Sequence, residues 1–189
     1  MGTAFLALAT AFGLSTSAGL NAYIPLLVVA LLARLTSLIS LNAPYDALSS
    51  WWVICVLGVL LIIEILVDKI PAADTANDII QTFIRPAAGA ILFAATTNTI
   101  GVHPVLAAVC GVILAGGVHA VKAGGRPVVA SLTAGAGNPI VSTVEDAISL
   151  TLSLLAIVAP YLVAALLMIL LALFAWWYAR RRRRRANPW

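Results

Sequence analysis

Trp51-Trp-Val-Ile-Cys-Val-Leu-Gly-Val-Leu-Leu-Ile-Ile-Glu-Ile-Leu-Val67 carries a single charge, Glu64, in 17 residues, and Asp68-Lys-Ile-Pro71 closes it. A helix rises about 1.5 Å per residue, so a run of this size comes close to crossing a hydrocarbon core of about 30 Å. Similar apolar runs recur at 3–18, 22–40, 78–101, 104–121, 142–159 and 161–178. Together they fill most of a chain of 189 residues and leave no room for a soluble domain. The expected fold class is therefore all-α: a polytopic transmembrane helix bundle forming one domain over residues 1–179, with an Arg-rich tail at 180–189.

Composition leads to the same class. Hydrophobic residues are 62% of the chain, charged residues 10%, and mean hydropathy is +1.07. Soluble domains hold about 45–50% apolar and about 25% charged residues. These residues cannot supply the polar surface of a soluble enzyme, a coiled coil, a disordered chain or a nucleic-acid-binding domain. The net charge of +4 comes from the tail, because six of the 11 Lys and Arg are Arg180–Arg185. Cys55 and Cys110 lie in apolar stretches, where thiols act as small hydrophobes, so they suggest neither a disulfide framework nor a metal site. No Lys or Arg precedes the first apolar run, so a secretory signal is not expected and Met1 onward should stay in the mature protein.

The span count is six or seven. Arg85-Pro86 interrupts the fourth run, and Pro160 either ends a helix or kinks a longer one. Residues 122–141 read as a long connecting loop. Trp176, Trp177 and Tyr178 form an interfacial anchor ahead of the six arginines, so the positive-inside rule places the C-terminus in the cytoplasm. Seven spans then put the N-terminus outside, with Lys69, Arg85, Lys122 and Arg126 on the cytoplasmic side and only Arg34 opposite.

The acids are one-sided as well. Glu64, Asp68, Asp74, Asp78, Glu145 and Asp146 fall at or near cytoplasmic ends; Asp46 does not. Glu64 and Asp68 are four apart and share a helix face, as do Asp74 and Asp78, and Gln81 and Arg85 continue that stripe. An ionisable residue within an apolar run is costly unless it is paired or faces a wet cavity. Glu64 should therefore have a basic or polar neighbour, with His119 or Lys122 the leading candidates. A structural ion-pair network and a ligand site both satisfy this demand.

The segment Phe12-Gly-Leu-Ser-Thr-Ser-Ala-Gly-Leu-Asn-Ala-Tyr-Ile-Pro25 is small, hydroxylated and uncharged. This suits a broken or re-entrant helix near residues 15–25 whose freed backbone groups face a cavity. Residues 131–140 have the same character. Ser17-Ala-Gly-Leu-Asn21 is similar to Thr133-Ala-Gly-Ala-Gly-Asn138 with one insertion, either as a parallel repeat or as coincidence of small packing residues.

Gly19-Leu-Asn-Ala-Tyr-Ile-Pro25, Asp68-Lys-Ile-Pro-x-x-Asp74-x-x-x-Asp78, Arg85-Pro-x-x-Gly89, His119-x-x-Lys-Ala-x-x-Arg126 and Glu145-Asp146 occur in this order. Together they resemble a small bacterial inner-membrane family, domain of unknown function 4126, over about residues 10–175. The resemblance implies a multi-helix membrane protein without an assigned activity. It places the family's polar motifs on the residues that topology puts on one side.

Enzyme templates fail: there is no nucleophile elbow, His-Glu-x-x-His, Walker loop or paired CxxC. No cofactor is expected. The reading reached is transport or permeation of a small solute, ion or lipid headgroup. Its alternatives are a scaffold or assembly protein and an intramembrane lipid-modifying enzyme. Ser17, Asn21, Thr133 and Asn138 would offer neutral ligands. Glu64, Asp68, Asp74, Asp78, Glu145 and Asp146 would supply negative charge, balanced by Arg85, His119, Lys122 and Arg126. The partners expected are membrane lipids, with a homodimer as a candidate assembly, and no nucleic acid.

Overall fold

The computed structural model describes residues 2–68, 71–133 and 137–186, with side chains at 71–76, 78, 130 and part of the positions after 162 outside that description. Among the described residues every regular element is helical. The helices are α1 (Gly2–Leu20), α2 (Tyr23–Leu35), α3 (Trp51–Val67), α4 (Pro71–Thr97), α5 (Pro104–Thr133), α6 (Asn138–Val158) and α7 (Pro160–Ala186). Short 3-10 turns lie at Tyr45–Ser49 and Asn98–Ile100. Proline opens α4, α5 and α7, where its missing N–H costs no hydrogen bond and its fixed φ suits a first turn. Ser50 caps α3, its Oγ accepting from the Val53 N–H at 3.3 Å. Gly101, with φ of 73°, makes the left-handed turn between α4 and α5.

Among the described residues four stretches are long and apolar enough to cross a membrane: Thr3–Leu20, Ile79–Ile100, Pro104–Thr133 and Asn138–Val158. The apolar helices α2 and α3 are shorter, at 13 and 17 residues. Several expected boundaries move. Residues 122–133 are helix, not loop: α5 continues through Gly124, Gly125 and Pro127, because Lys122 and Arg126 find partners inside the bundle and do not need to leave it for water. Helix α4 begins at Pro71, so Asp74 and Asp78 are on it, and Pro86 lies inside it. Pro160 starts α7 after Ala159 has left helical geometry at φ −137° and ψ 60°. Helix α7 passes residue 179 without a break, so the first arginines continue its helix.

Helix α1 is the centre of the bundle and packs against α4, α5, α6 and α7. Its buried residues include Ala11, Leu14, Ser15, Ser17 and Ala18. Lipid tails are as apolar as leucine, so helices associate in a membrane through close packing, which small residues permit. The closest approach joins α4 to α5. A Cβ added to Gly111 would lie 2.2 Å from the Gly89 carbonyl oxygen, and one added to Gly89 would lie 2.5 Å from Ala115 Cβ.

Cross-helix contacts fix directions. Phe12 meets Phe93 edge-on at 5.4 Å, and Ser15 Oγ donates to the Gly89 carbonyl at 3.0 Å, so α1 and α4 are antiparallel. Thr10 Oγ1 donates to the Ala156 carbonyl and Ser17 Oγ to the Ser149 carbonyl, both at 2.8 Å, so α6 also runs against α1. The end of α1, the end of α3, the first half of α4 and the start of α6 therefore share one level of the bundle.

The glycine seam gives a direct test. Gly111→Ala should destabilise the protein by about 1–3 kcal/mol, because the new methyl meets backbone that cannot move aside cheaply. Gly124→Ala, where an added Cβ meets nothing within 4 Å, should leave thermal stability in detergent unchanged or slightly raised. Equal melting of the two variants would contradict the seam.

Candidate functional site

The chain reverses direction inside the bundle. Helix α1 stops at Leu20 and α2 starts at Tyr23. Helix α2 runs back along α3, which brings Arg34 over the Trp51 ring at 5.7 Å. Asn21 and Ala22, which make the reversal, are 1% and 0% exposed. Helix ends leave N–H and carbonyl groups without intrahelical partners, and at membrane depth protein must supply them. Asn21 Oδ1 accepts from the N–H groups of Tyr23 at 2.9 Å and Ile24 at 3.1 Å, which caps α2. Its Nδ2 donates to Asp146 Oδ1 at 2.9 Å. Lys122 Nζ donates to the Leu20 carbonyl at 2.9 Å, a cation on the negative end of α1. The segment needs no charge of its own because α5 and α6 bring charge to it.

A layer of ionisable side chains lies at this level. Arg85, with 0% exposure, donates through Nη2 to Glu64 Oε1 at 3.1 Å, and its Nη1 stands 3.0 Å from His119 Nδ1. A guanidinium has only protons to give, so His119 Nδ1 accepts and the ring proton sits on Nε2, 3.1 Å from Thr82 Oγ1. Asp68 accepts from Asn77 Nδ2 at 3.1 Å and from Ser142 Oγ, with Arg126 Nη2 at 3.7 Å. Glu145 Oε2 is 2.8 Å from Lys122 Nζ and 3.5 Å from Arg126 Nη2. At about 1.5 Å per residue, Glu64 lies about 20 Å along α3 from Trp51, and His119 about 22 Å along α5 from Pro104. Above the layer, Ser17 Oγ lies 2.8 Å from Ser149 Oγ and 2.7 Å from Ser153 Oγ, a buried hydroxyl cluster between α1 and α6.

Among the described residues, four carboxyl groups in this layer (Glu64, Asp68, Glu145 and Asp146) face three fixed cations (Arg85, Lys122 and Arg126). Asp146 is the acid whose close partner is a neutral amide. Among the described residues no group of three or more His, Cys, Asp or Glu is placed to hold a metal ion.

Of the residues singled out in the sequence, Ser17, Asn21, Glu64, Asp68, Arg85, His119, Lys122, Arg126, Glu145 and Asp146 meet here. The partner of Glu64 is Arg85, not His119 or Lys122; His119 is one step away, on the other nitrogen of Arg85. Thr133 is exposed and bonds locally, to the Val129 carbonyl at 2.7 Å and the Gly137 N–H at 3.0 Å. Asn138 opens α6 one turn before Ser142. Residues 134–136 of the second small-residue segment lie outside the described residues; of its ends, Thr133 is exposed and Asn138 partly buried, whereas Ser17 and Asn21 of the first are buried. The side chains of Asp74 and Asp78 lie outside the described residues. Sequence reading missed Asn77, Ser142, Ser149 and Ser153. Three of these had a visible signal: Ser142, Asp146, Ser149 and Ser153 recur at intervals of four, three and four, a polar helix face.

The Glu64–Arg85 pair should dominate stability in this layer. Arg85→Met leaves Glu64 buried without its cation and should cost about 3–5 kcal/mol. Adding Glu64→Leu should recover much of that loss, since both charges are then gone. Unfolding of the three proteins in mixed micelles tests this, and a double variant no more stable than Arg85→Met would refute it.

A family model described as "Domain of unknown function (DUF4126)" matches residues 8–180. No curated protein and no solved structure matches the chain. The matched stretch contains the buried reversal and every residue of the ionisable layer, and the chain belongs to this family of unknown function.

Proposed function

We propose that this protein is an integral membrane transporter or channel-like protein that moves a proton or a small, singly charged cation through the layer beside Asn21. The observation that carries the reading is the convergence of ionisable groups from α3, α4, α5 and α6 on a buried chain reversal of α1 and α2. Charges at membrane depth are expensive and mark ion pathways more often than packing devices. Broken helices with capped ends next to such charges are a recurring construction of transporter ion sites. Among the described residues, the excess of one carboxyl over the fixed cations favours a positive occupant. Among the described residues no three acids, histidines or cysteines converge on one point, and such separated carboxylates suit a proton or monovalent ion better than a divalent one, which needs several carboxylate oxygens at once.

In this reading α2, α3 and α7 join the four long helices to make seven spans. Arg180–Arg185 hold the C-terminus on the cytoplasmic side of a bacterial inner membrane, and the layer opens toward that side. A second reading has one observation in its favour: each described acid of the layer already has an internal partner, which is what a static scaffold requires.

Proteoliposomes separate the two. The wild-type protein should carry protons, Na⁺ or K⁺ down an imposed gradient, reported by entrapped pH- and ion-sensitive dyes. Asp68→Asn should reduce that flux at least about tenfold while helical content is kept. No flux above that of protein-free vesicles, with Asp68→Asn altering only thermal stability, would favour the scaffold.

A further inference from the structure

At one edge of the ion layer a crevice opens beside the Lys122–Glu145 pair. Helices α5 and α6 both pack on α1 but barely touch each other, so a gap remains between them with the end of α1 at its base. Leu20, Gly117, Val118, Val121, Lys122 and Glu145 line a space of about 410 Å³. Its walls are apolar and it opens sideways, with Gly117 and Val121 exposed. At its floor Lys122 Nζ and Glu145 Oε2 stand 2.8 Å apart. Lys122 is about 27 Å along α5 from Pro104 at about 1.5 Å per residue, near the far boundary of a core of about 30 Å.

We propose that this crevice binds one phospholipid with a zwitterionic, primary-amine headgroup of the phosphoethanolamine type. An open apolar slot at the headgroup level admits the upper part of an acyl chain along Val118 and Val121. Two opposite charges side by side at its end choose the headgroup. A phosphate lies at Lys122 and an ammonium at Glu145, so the headgroup's two charges run opposite to the protein's. A headgroup with negative charge alone meets Glu145 in repulsion. A trimethylated amine keeps its charge but has no N–H to give the carboxylate. Binding is independent of whether the layer conducts, and its test reads lipid retention, not flux, so either idea can fail without the other.

Native mass spectrometry of the detergent-solubilised full chain, with dioleoyl phosphatidylethanolamine, phosphatidylcholine or phosphatidylglycerol at equal concentration, tests the assignment. One phosphatidylethanolamine should be retained at about tenfold tighter affinity than either other lipid, the ratio expected for one charge-assisted contact. Gly117→Leu is the decisive variant. Gly117 lines the crevice and a Cβ there meets nothing within 4 Å, so the backbone has room for a side chain, and the leucine is expected to occupy crevice space. It should weaken retention at least about tenfold. Gly124→Leu, equally open but outside the crevice, should leave retention unchanged. Lys122→Gln should also lose the lipid, but Lys122 holds the end of α1 as well, so Gly117→Leu carries the decision. Phosphatidylglycerol or phosphatidylcholine binding as tightly as phosphatidylethanolamine, or full retention in Gly117→Leu, would overturn the proposal.

Discussion

Arg85 is wholly buried in a bundle with hydrophobic surroundings, and its charge cannot be discharged by losing a proton. Much of the structure around it answers that constraint. Glu64 meets one nitrogen from α3 and His119 meets another from α5. These bonds require α4 and α5 to come very close, and the glycine seam makes this achievable. Gly89 lies one turn after Arg85, and Ala115 one turn before His119, so the small residues that touch and the polar pair that bonds are successive rungs of one interface. A larger residue at Gly89 or Gly111 would separate the helices and leave the guanidinium short of an acceptor.

The same logic extends across the layer. Lys122 and Arg126, one and two turns beyond His119, carry Glu145 and Asp68. Asp146, beside Glu145, holds the amide of Asn21, and that amide also caps α2. The tight reversal between α1 and α2 is therefore tied to the charge layer by two bonds, one from Lys122 to the end of α1 and one from Asn21 to Asp146. Loss of either would leave backbone or amide groups without partners where water is scarce. An ion that bound here and drew Asp146 or Lys122 away would act directly on the joint between two helices. That coupling is a physical basis for linking occupancy to movement.

Much of this was legible in the sequence, for identifiable reasons. An isolated charge in an apolar run, as at Glu64, announces a partner whatever the fold. The uncharged segment around Asn21 announced an interrupted helix, because its residues suit neither a lipid-facing span nor an ordinary wet loop. Partner identity was less accessible. Arg85 continues a polar stripe and precedes a proline, so no local pattern singles it out as the partner of Glu64 ahead of His119 or Lys122, while the folded bundle sets it against that acid. Residues 122–133 looked like loop because glycines, a proline and two cations crowd together. The cations are satisfied by acids on α3 and α6, a long-range fact that no local pattern contains. Thr133 and Asn138 were grouped with Ser17 and Asn21 by composition alone, and composition does not encode burial.

The central claim is that the buried layer is reachable by small hydrophilic cations from one side of the membrane. Thiol accessibility tests it most directly. In a background of Cys55→Ala and Cys110→Ala, a cysteine replaces Ser142, which is 3% exposed and donates to Asp68. Sealed vesicles of defined orientation are then treated with charged methanethiosulfonates. The account expects modification of the membrane-embedded protein from one side only, faster with the ethylammonium reagent than with the ethylsulfonate reagent, as the excess of carboxyl groups demands. Protection from both reagents until the protein is denatured, or faster reaction with the anionic one, would contradict it.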